Sequence, residues 1–290
     1  MEIGYIGLGA IGRPMAANLA ASFPTTVFNR TSEVARQHVA TRGGRLAEDL
    51  GDLAGVDVVC TCLPTDVEVA AVAGVLGPLL APGTVWLDHT SGAPAGSRDV
   101  AAALAVHGVA YLDAPVSGGT DGAERGALTV MVGGDPAVLD RVRPVLGAVA
   151  ERVVHVGPIG AGMAVKAVNN ALLATSLRAA AEGLVALQAG GVDASTALEV
   201  INASSGRSFA TERLIPERAL TRSFPVTFAL ELLAKDAGLA QAVVADAGSE
   251  APLLALVARL TDEAALQLGA GADHVELVRV VEATADVELG

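Results

Sequence analysis

The chain has 290 residues, room for two modest domains, and its 52% hydrophobic and 18% charged residues exclude a disordered chain. A formal charge of −13 at pH 7, with no Lys/Arg cluster to relieve it, excludes a phosphate backbone and hence nucleic acid as a partner. No apolar run approaches the roughly 20 residues that span a bilayer, and Met-Glu-Ile-Gly enters an apolar strand without the regions of a signal peptide, so a cytoplasmic protein with no membrane partner is expected.

From the N-terminus, short β-branched runs alternate with helical stretches to about residue 156. Strands are predicted at residues 3–6, 26–28, 56–62, 84–88, 109–113, 128–132 and 153–156, the pattern of a parallel sheet covered on both faces. Directly after the first of them comes Gly7-Leu8-Gly9-Ala10-Ile11-Gly12, which opens a helix containing Met15, Ala16 and Leu19. In that position the first glycine permits a tight turn, the second lets backbone approach a pyrophosphate, and the third lets helix and strand pack closely. The helix N-terminus then offers unpaired N–H groups and a favourable dipole to a dianion. The pattern predicts a dinucleotide site in a Rossmann-type α/β domain, against the alternative of a tight turn with no ligand.

The second strand runs into Asn29-Arg30-Thr31, where an acid would grip a ribose 2′-hydroxyl. Asn29 carries no charge to repel a 2′-phosphate, and Arg30 supplies a planar cation to pair with it or stack on adenine, so NADP is favoured over NAD. An ordinary solvated Arg30, with Thr31 or Ser32 merely capping the next helix, is the competing interpretation. Cys60 and Cys62 alternate onto one face of a buried strand and lack the partners a zinc site needs, so they are assigned no chemistry, and no metal is expected. Two helix starts follow, a capping box at Thr65-Asp66-Val67-Glu68 and Asp135-Pro136.

After the strand ending at Asp113, the segment Ala114-Pro115-Val116-Ser117-Gly118-Gly119 sits at a strand C-terminus, where open α/β sheets bind ligands. Ser117 with the N–H groups of Gly118 and Gly119 suits a carboxylate, although a plain flexible turn would use the same residues. Past residue 160 the strand signals stop, marking a boundary between a dinucleotide-binding domain at 1–160 and a helical substrate and oligomerisation domain at 161–290. One long helix is predicted from about 162 to 190, another from Asp193 or Ser195, then interruptions at Pro216 and Pro225, and helices at 228–247 and 252–268.

Near the start of the long helix Lys166 stands among small apolar residues, with Asn169 and Asn170 one turn on. A lysine partly desolvated there, close to the positive helix end, is expected to have a depressed pKa and to serve proton transfer near neutrality. Against this stands a lysine that snorkels to solvent. Lys235 lies in a second apolar helical context beside Asp236.

The glycine loop with Met15 and Asn18, then Cys62-Leu63-Pro64, residues 113–126, residues 160–170 and Lys235-Asp236 occur in one order over nearly the whole chain. In these segments the chain resembles the β-hydroxyacid dehydrogenase family, which includes 3-hydroxyisobutyrate dehydrogenase and tartronate semialdehyde reductase. The resemblance implies an NAD(P)-dependent oxidoreductase acting on a small anionic hydroxy acid or aldehyde acid, with an active site in the cleft between its domains and a homodimeric or homotetrameric assembly. It implies Lys166 as the catalytic acid/base, Ser117, Gly118 and Gly119 at the substrate carboxylate, and Asn170 on the substrate. It also implies Leu63, Pro64, Ser91 and Lys235 beside the cofactor, with the whole loop Gly7, Leu8, Gly9, Ala10, Ile11 and Gly12. Ile11 replaces a frequent methionine, and Asp88-His89-Thr90-Ser91 departs from the usual serine-threonine order. Imine reductases share such an architecture but usually carry another residue at the Lys166 position. A cofactor-binding regulatory protein without turnover is the alternative from another class, and joint retention of Lys166, Asn170 and Ser117 speaks against it.

Overall fold

The computed structural model describes all of residues 1–290, and the chain divides into two compact units, Met1–Lys166 and Ala167–Gly290.

In the first unit nine strands form one sheet: β1 (Ile3–Ile6), β2 (Thr25–Phe28), β3 (Arg45–Leu46), β4 (Val58–Thr61), β5 (Val85–Asp88), β6 (Ala110–Asp113), β7 (Val116–Ser117), β8 (Leu128–Gly133) and β9 (Ala150–Gly157). Their order is β3-β2-β1-β4-β5-β6-β8-β7, with β9 paired to β8. The first six are parallel, in the strand order of dinucleotide-binding sheets. Beyond β6 the expected all-parallel pattern fails, because β8 runs antiparallel to β6 and β7 and parallel to β9. A parallel return usually needs a full crossover helix, and the β6–β8 connection holds only β7 and the six-residue α5 (Gly119–Glu124).

β1, β4 and β5 are buried along their whole lengths, as strands covered on both faces must be. Their alternation feeds two cores. Ile3, Tyr5, Cys60 and Leu87 pack with Met15 and Leu19 of α1 (Gly12–Ser22). Ile6, Val59 and Trp86 face the other way, against Val69 and Leu76 of α3 (Asp66–Leu76) and Leu104 of α4 (Pro94–Ala105). α2 (Ser32–Arg42) and α6 (Pro136–Gly147) complete the layers. Both anticipated caps are present: Thr65 accepts from Val67 N at 3.2 Å while Glu68 accepts from Thr65 N at 3.0 Å, and Asp135 accepts from Ala137 N at 2.8 Å.

α7 (Ala161–Ala189) starts in the last residues of the first unit and continues into the second. The second unit adds α8 (Ala194–Asn202), whose cap Asp193 accepts from Thr196 N at 2.8 Å, then α9 (Leu230–Asp246), α10 (Pro252–Leu268) and α11 (Leu277–Ala285). Leu177, Leu184, Leu198, Leu214, Leu233 and Val278 form its aliphatic core. Pro216 does not interrupt the chain as the sequence suggests. It lies inside a π-helix, Ala210–Ala219, where Leu220 N reaches Ile215 O at 3.0 Å. A widened turn tolerates a residue that has no N–H to give.

The irregular backbone of this unit is gathered by Asp273. Its fully buried carboxylate accepts from Thr227 N at 2.9 Å, Phe228 N at 3.2 Å and Val275 N at 3.0 Å, and lies 3.3 Å from Arg218 Nη1. No helix of either unit is long and apolar enough to cross a membrane.

Candidate functional site

The three glycines between β1 and α1 are there for different reasons. A Cβ on Gly7 (φ 102°) would stand 2.3 Å from the Cys62 carbonyl oxygen, and one on Gly12 would stand 2.1 Å from the carbonyl of Gly7, so both are demanded by close packing. A Cβ on Gly9 would meet nothing within 4 Å; it would only fill the space in front of α1. The first turn of α1 has no acidic side chain, and Ile11 at its N-cap makes no side-chain cap bond. Packed glycines behind, an open glycine in front and an uncapped helix start fit the pyrophosphate of a dinucleotide. A cavity of about 370 Å³ opens at this loop, bordered by Gly9, Ala10, Arg13 and Thr120.

At the end of β2, Asn29 braces the loop: its Oδ1 accepts from Leu8 N at 3.0 Å and its Nδ2 donates to Thr31 O at 3.1 Å. Arg30 is exposed. Thr31 stands at the N-cap of α2 but makes no side-chain cap bond.

The ends of β4 and β5 are joined by a buried network that the sequence reading missed. Asp88 accepts from Thr61 Oγ1 at 2.9 Å, Thr90 N at 3.0 Å and Tyr111 OH at 2.9 Å, while Trp86 Nε1 donates to Thr61 Oγ1 at 3.1 Å. Burial pushes the Asp88 carboxyl up to about 6 despite these donors. Thr90 Oγ1 accepts from Leu63 N at 3.1 Å, which fixes the turn carrying Leu63 and the exposed Pro64; Ser91 follows, half-buried. His89 Nδ1–H donates to Ala114 O at 2.8 Å, and burial takes its imidazole down to about 4. It is therefore neutral at pH 7 and ties β5 to the segment leading to Ser117. The available signal was four hydrogen-bonding side chains, Thr61, Trp86, Asp88 and Tyr111, at the ends and in the interior of short strands that are mostly apolar.

Burial holds the Cys62 thiol up at about 12 and raises Cys60 as well, so neither is a thiolate near neutrality. No group of three or more His, Cys, Asp or Glu side chains is placed to hold a metal ion.

Beyond β6, Ser117 pairs opposite Thr129, and Gly118 and Gly119 turn the chain at φ values of 137° and 64°, both exposed. Asp113 is buried at the end of β6, where Oδ1 accepts from Gly160 N at 2.7 Å and Oδ2 from Met163 N at 3.0 Å. Burial raises its pKa against the pull of those donors. Lys166 follows Met163 by one turn of α7 and is half-buried.

In the second unit Asn170 is buried and its amide is oriented on both sides. Nδ2 donates to Asp236 Oδ2 at 2.6 Å, and Oδ1 accepts from Asn169 Nδ2 at 3.1 Å. Lys235 Nζ lies 3.3 Å from Asp236 Oδ1, so a single buried carboxylate holds both Asn170 and Lys235. A groove of about 440 Å³ beside Lys235 is bordered by Glu231, Asp262 and Leu266. One compositional signal lies outside the motifs: the chain has two lysines, Lys166 and Lys235, and all its other cationic side chains of that class are arginine. Only lysine has a pKa that a site can bring near neutrality.

Two family models match in succession. One, described as the NAD binding domain of 6-phosphogluconate dehydrogenase, covers residues 2–157. The other, described as the NAD-binding part of NADP-dependent 3-hydroxyisobutyrate dehydrogenase, covers residues 160–281. The chain is 37% identical to the 2-(hydroxymethyl)glutarate dehydrogenase of Eubacterium barkeri, across 96% of this chain and 93% of that one. It is 36% identical to the NAD-dependent L-serine dehydrogenase of Pseudomonas aeruginosa, across 89% of this chain and 90% of that one. The solved 3-hydroxyisobutyrate dehydrogenase of Mycobacterium tuberculosis with L-serine superposes with a TM-score of 0.90 at 33% identity, covering 97% of this chain and 98% of that one.

Proposed function

We propose, from the premise that this chain belongs to the β-hydroxyacid dehydrogenase family and carries its NAD(P)-binding domain, that it moves a hydride between NADP(H) and a small β-hydroxy acid or the corresponding aldehyde acid, with Lys166 as general acid/base. The observation that carries this reading is Lys166 and Asn170 one turn apart on α7, in a chain that uses lysine at only one other position.

In oxidation the neutral amine of Lys166 takes the hydroxyl proton as the C–H bond on the same carbon breaks with its electron pair, leaving a carbonyl. In reduction the lysinium returns that proton to the oxygen. The dinucleotide, when bound, supplies the hydride acceptor or donor at nicotinamide C4. Ser117 and the N–H groups of Gly118 and Gly119 hold the substrate carboxylate, and Asn170, fixed by Asp236, orients the reacting oxygen. Leu63, Pro64, Ser91 and Lys235 border the cofactor.

The substrate class rests on the names of the relatives. 2-(Hydroxymethyl)glutarate, L-serine and 3-hydroxyisobutyrate all present a CH₂OH group on the carbon that bears a carboxylate, so a 2-substituted 3-hydroxypropanoate is the common element. The NADP preference rests on the exposed Arg30 and the uncharged Asn29, while those names include both nicotinamide cofactors.

Lys166→Ala tests the mechanism. NAD(P)H affinity persists and kcat falls by about 10³-fold, within the range general acid–base catalysis supplies. Undiminished turnover removes Lys166 from the reaction. The substrate class is read by following NADPH and NADH oxidation against 2-substituted 3-oxopropanoates and the reverse reaction on the matching hydroxy acids.

A further inference from the structure

We propose that Asp113 is a positioning residue that sets Lys166 relative to the Ser117 turn, an inference that rests on the reading of Lys166 as acid/base. One buried side chain at the end of β6 caps the first turn of α7, and the main chain four residues further on enters the Ser117–Gly119 turn to which the proposed function assigns the substrate carboxylate.

The first N–H groups of a helix lack intrahelical partners and usually take them from a Ser, Thr, Asn or Asp just ahead of the helix. Between Gly157 and Met163 this chain has no such residue. The cap arrives instead from Asp113, 47 and 50 residues earlier in sequence, through bonds of 2.7 Å and 3.0 Å to Gly160 N and Met163 N. Room for the carboxylate is kept by glycines on either side. A Cβ on Gly133 would stand 2.4 Å from Oδ1, and one on Gly162 would stand 2.8 Å from Oδ2.

The link to Ser117 is equally tight. Ala114 N donates to Asp88 O at 2.7 Å, Ala114 O accepts from His89, Met131 N donates to Pro115 O at 3.1 Å, and Val116 and Ser117 pair with β8. Every residue from the carboxylate to the turn is thus tied to the sheet, and Lys166 lies three residues past the capped Met163. Asp113 touches no substrate. It determines how far the proton carrier stands from the anion holder, and a displacement of about 1 Å between such groups costs about 10²-fold in rate.

Asp113→Asn in the full chain is the test, because asparagine keeps the size but retains one acceptor oxygen for two N–H groups. The NAD(P)H Kd stays within about threefold, kcat for an aldehyde acid falls by about 10²-fold, and KM rises by less than about tenfold. Amide exchange accelerates at residues 160–163 while β1 and β4 keep their protection. With ¹³Cε-labelled lysine the chain gives two side-chain signals, and that of Lys166 moves while that of Lys235 does not. Should Asp113→Asn fail to fold, Asp113→Ser, whose hydroxyl accepts from one of the two N–H groups, is measured in the same way.

A kcat within twofold of wild type overturns the proposal, as does a loss of protection spread over the whole sheet together with NAD(P)H binding, which marks a residue that only supports the fold. If Lys166→Ala leaves turnover intact, the acid/base reading fails by itself, and amide exchange with the lysine signals still reports whether Asp113 holds that turn.

Discussion

The two units bury carboxylates at the points where regular structure ends, and they treat the charge in opposite ways. At the end of β5, Asp88 is surrounded by neutral donors, Thr61, Thr90 N and Tyr111, and burial prevails, raising it to about 6. In the helical unit Asp273 is just as buried, but His274 and the N–H groups of Val275 and Thr227 outweigh that burial and hold its carboxyl far below the usual range. Hydrogen bonds of similar length therefore do not fix the ionisation of a buried acid. The balance between desolvation and the donors that reach the carboxylate does. In a parallel sheet the ladder already satisfies most backbone groups, and Asp88 serves a local junction. The second unit has no ladder, so one ionised carboxylate organises its loops.

The comparison is broken most directly at Asp273. Asp273→Ala leaves the Arg218 guanidinium and three backbone N–H groups without their acceptor, and the urea midpoint followed by circular dichroism drops by the equivalent of about 3–5 kcal/mol. A loss below about 1 kcal/mol shows that the loops are held by other contacts.

Asp88 gives the next largest effect, visible only through pH. Its folded value of about 6 lies above the ordinary 3.8, so the folded chain keeps a proton that the unfolded chain releases between those values. The resulting stability is present below about pH 4 and lost as pH rises through 6. Compared with Asp88→Asn, the wild type is expected to lose about 2 kcal/mol between pH 4 and pH 8. Asp273 titrates alike in both chains and cancels from the difference, so a flat difference curve disproves the raised Asp88.

At the cofactor loop, Asn29→Ala removes the acceptor for Leu8 N and weakens NAD(H) and NADP(H) alike by about five- to tenfold, the cost of one hydrogen bond. Arg30→Ala weakens NADP(H) alone. Titrations of both variants with both cofactors separate the brace from the 2′-phosphate partner, and equal losses on Arg30→Ala dismiss the NADP preference. The smallest effect is expected at the exposed Arg259–Glu263 pair on α10, 2.7 Å apart, where Arg259→Ala changes stability by less than about 0.5 kcal/mol. A larger loss there means that charge pairing, rather than burial, separates the two units.

Much of the fold could be read along the chain because its signals are local. Gly7, Gly9 and Gly12 announced the turn between β1 and α1, Thr65 and Glu68 announced α3, and the absence of proline after Gly160 announced α7. The short strands β3 and β7 escaped because two residues carry no periodicity, and Pro216 misled because a π-helix absorbs it. Lys166 and Asn170 were legible from helical spacing, and Asn29 was recognised by its place after β2, though its bond to Leu8 N was not.

Periodicity and turn chemistry thus settled the α/β architecture and the helical second half, and helical spacing singled out the residues to watch. Three-dimensional packing settled how those residues are held. Asp113 meets Gly160 and Met163 across 47 and 50 residues, Asp236 meets Asn170 across 66, and Asp273 meets Arg218 across 55. Sequence spacing sees about one turn of helix or one strand pair, whereas a buried carboxylate takes its partners from whatever donors folding brings within hydrogen-bond distance, and so the pairs that fix Asn170 and the start of the Lys166 helix appear only in the folded chain.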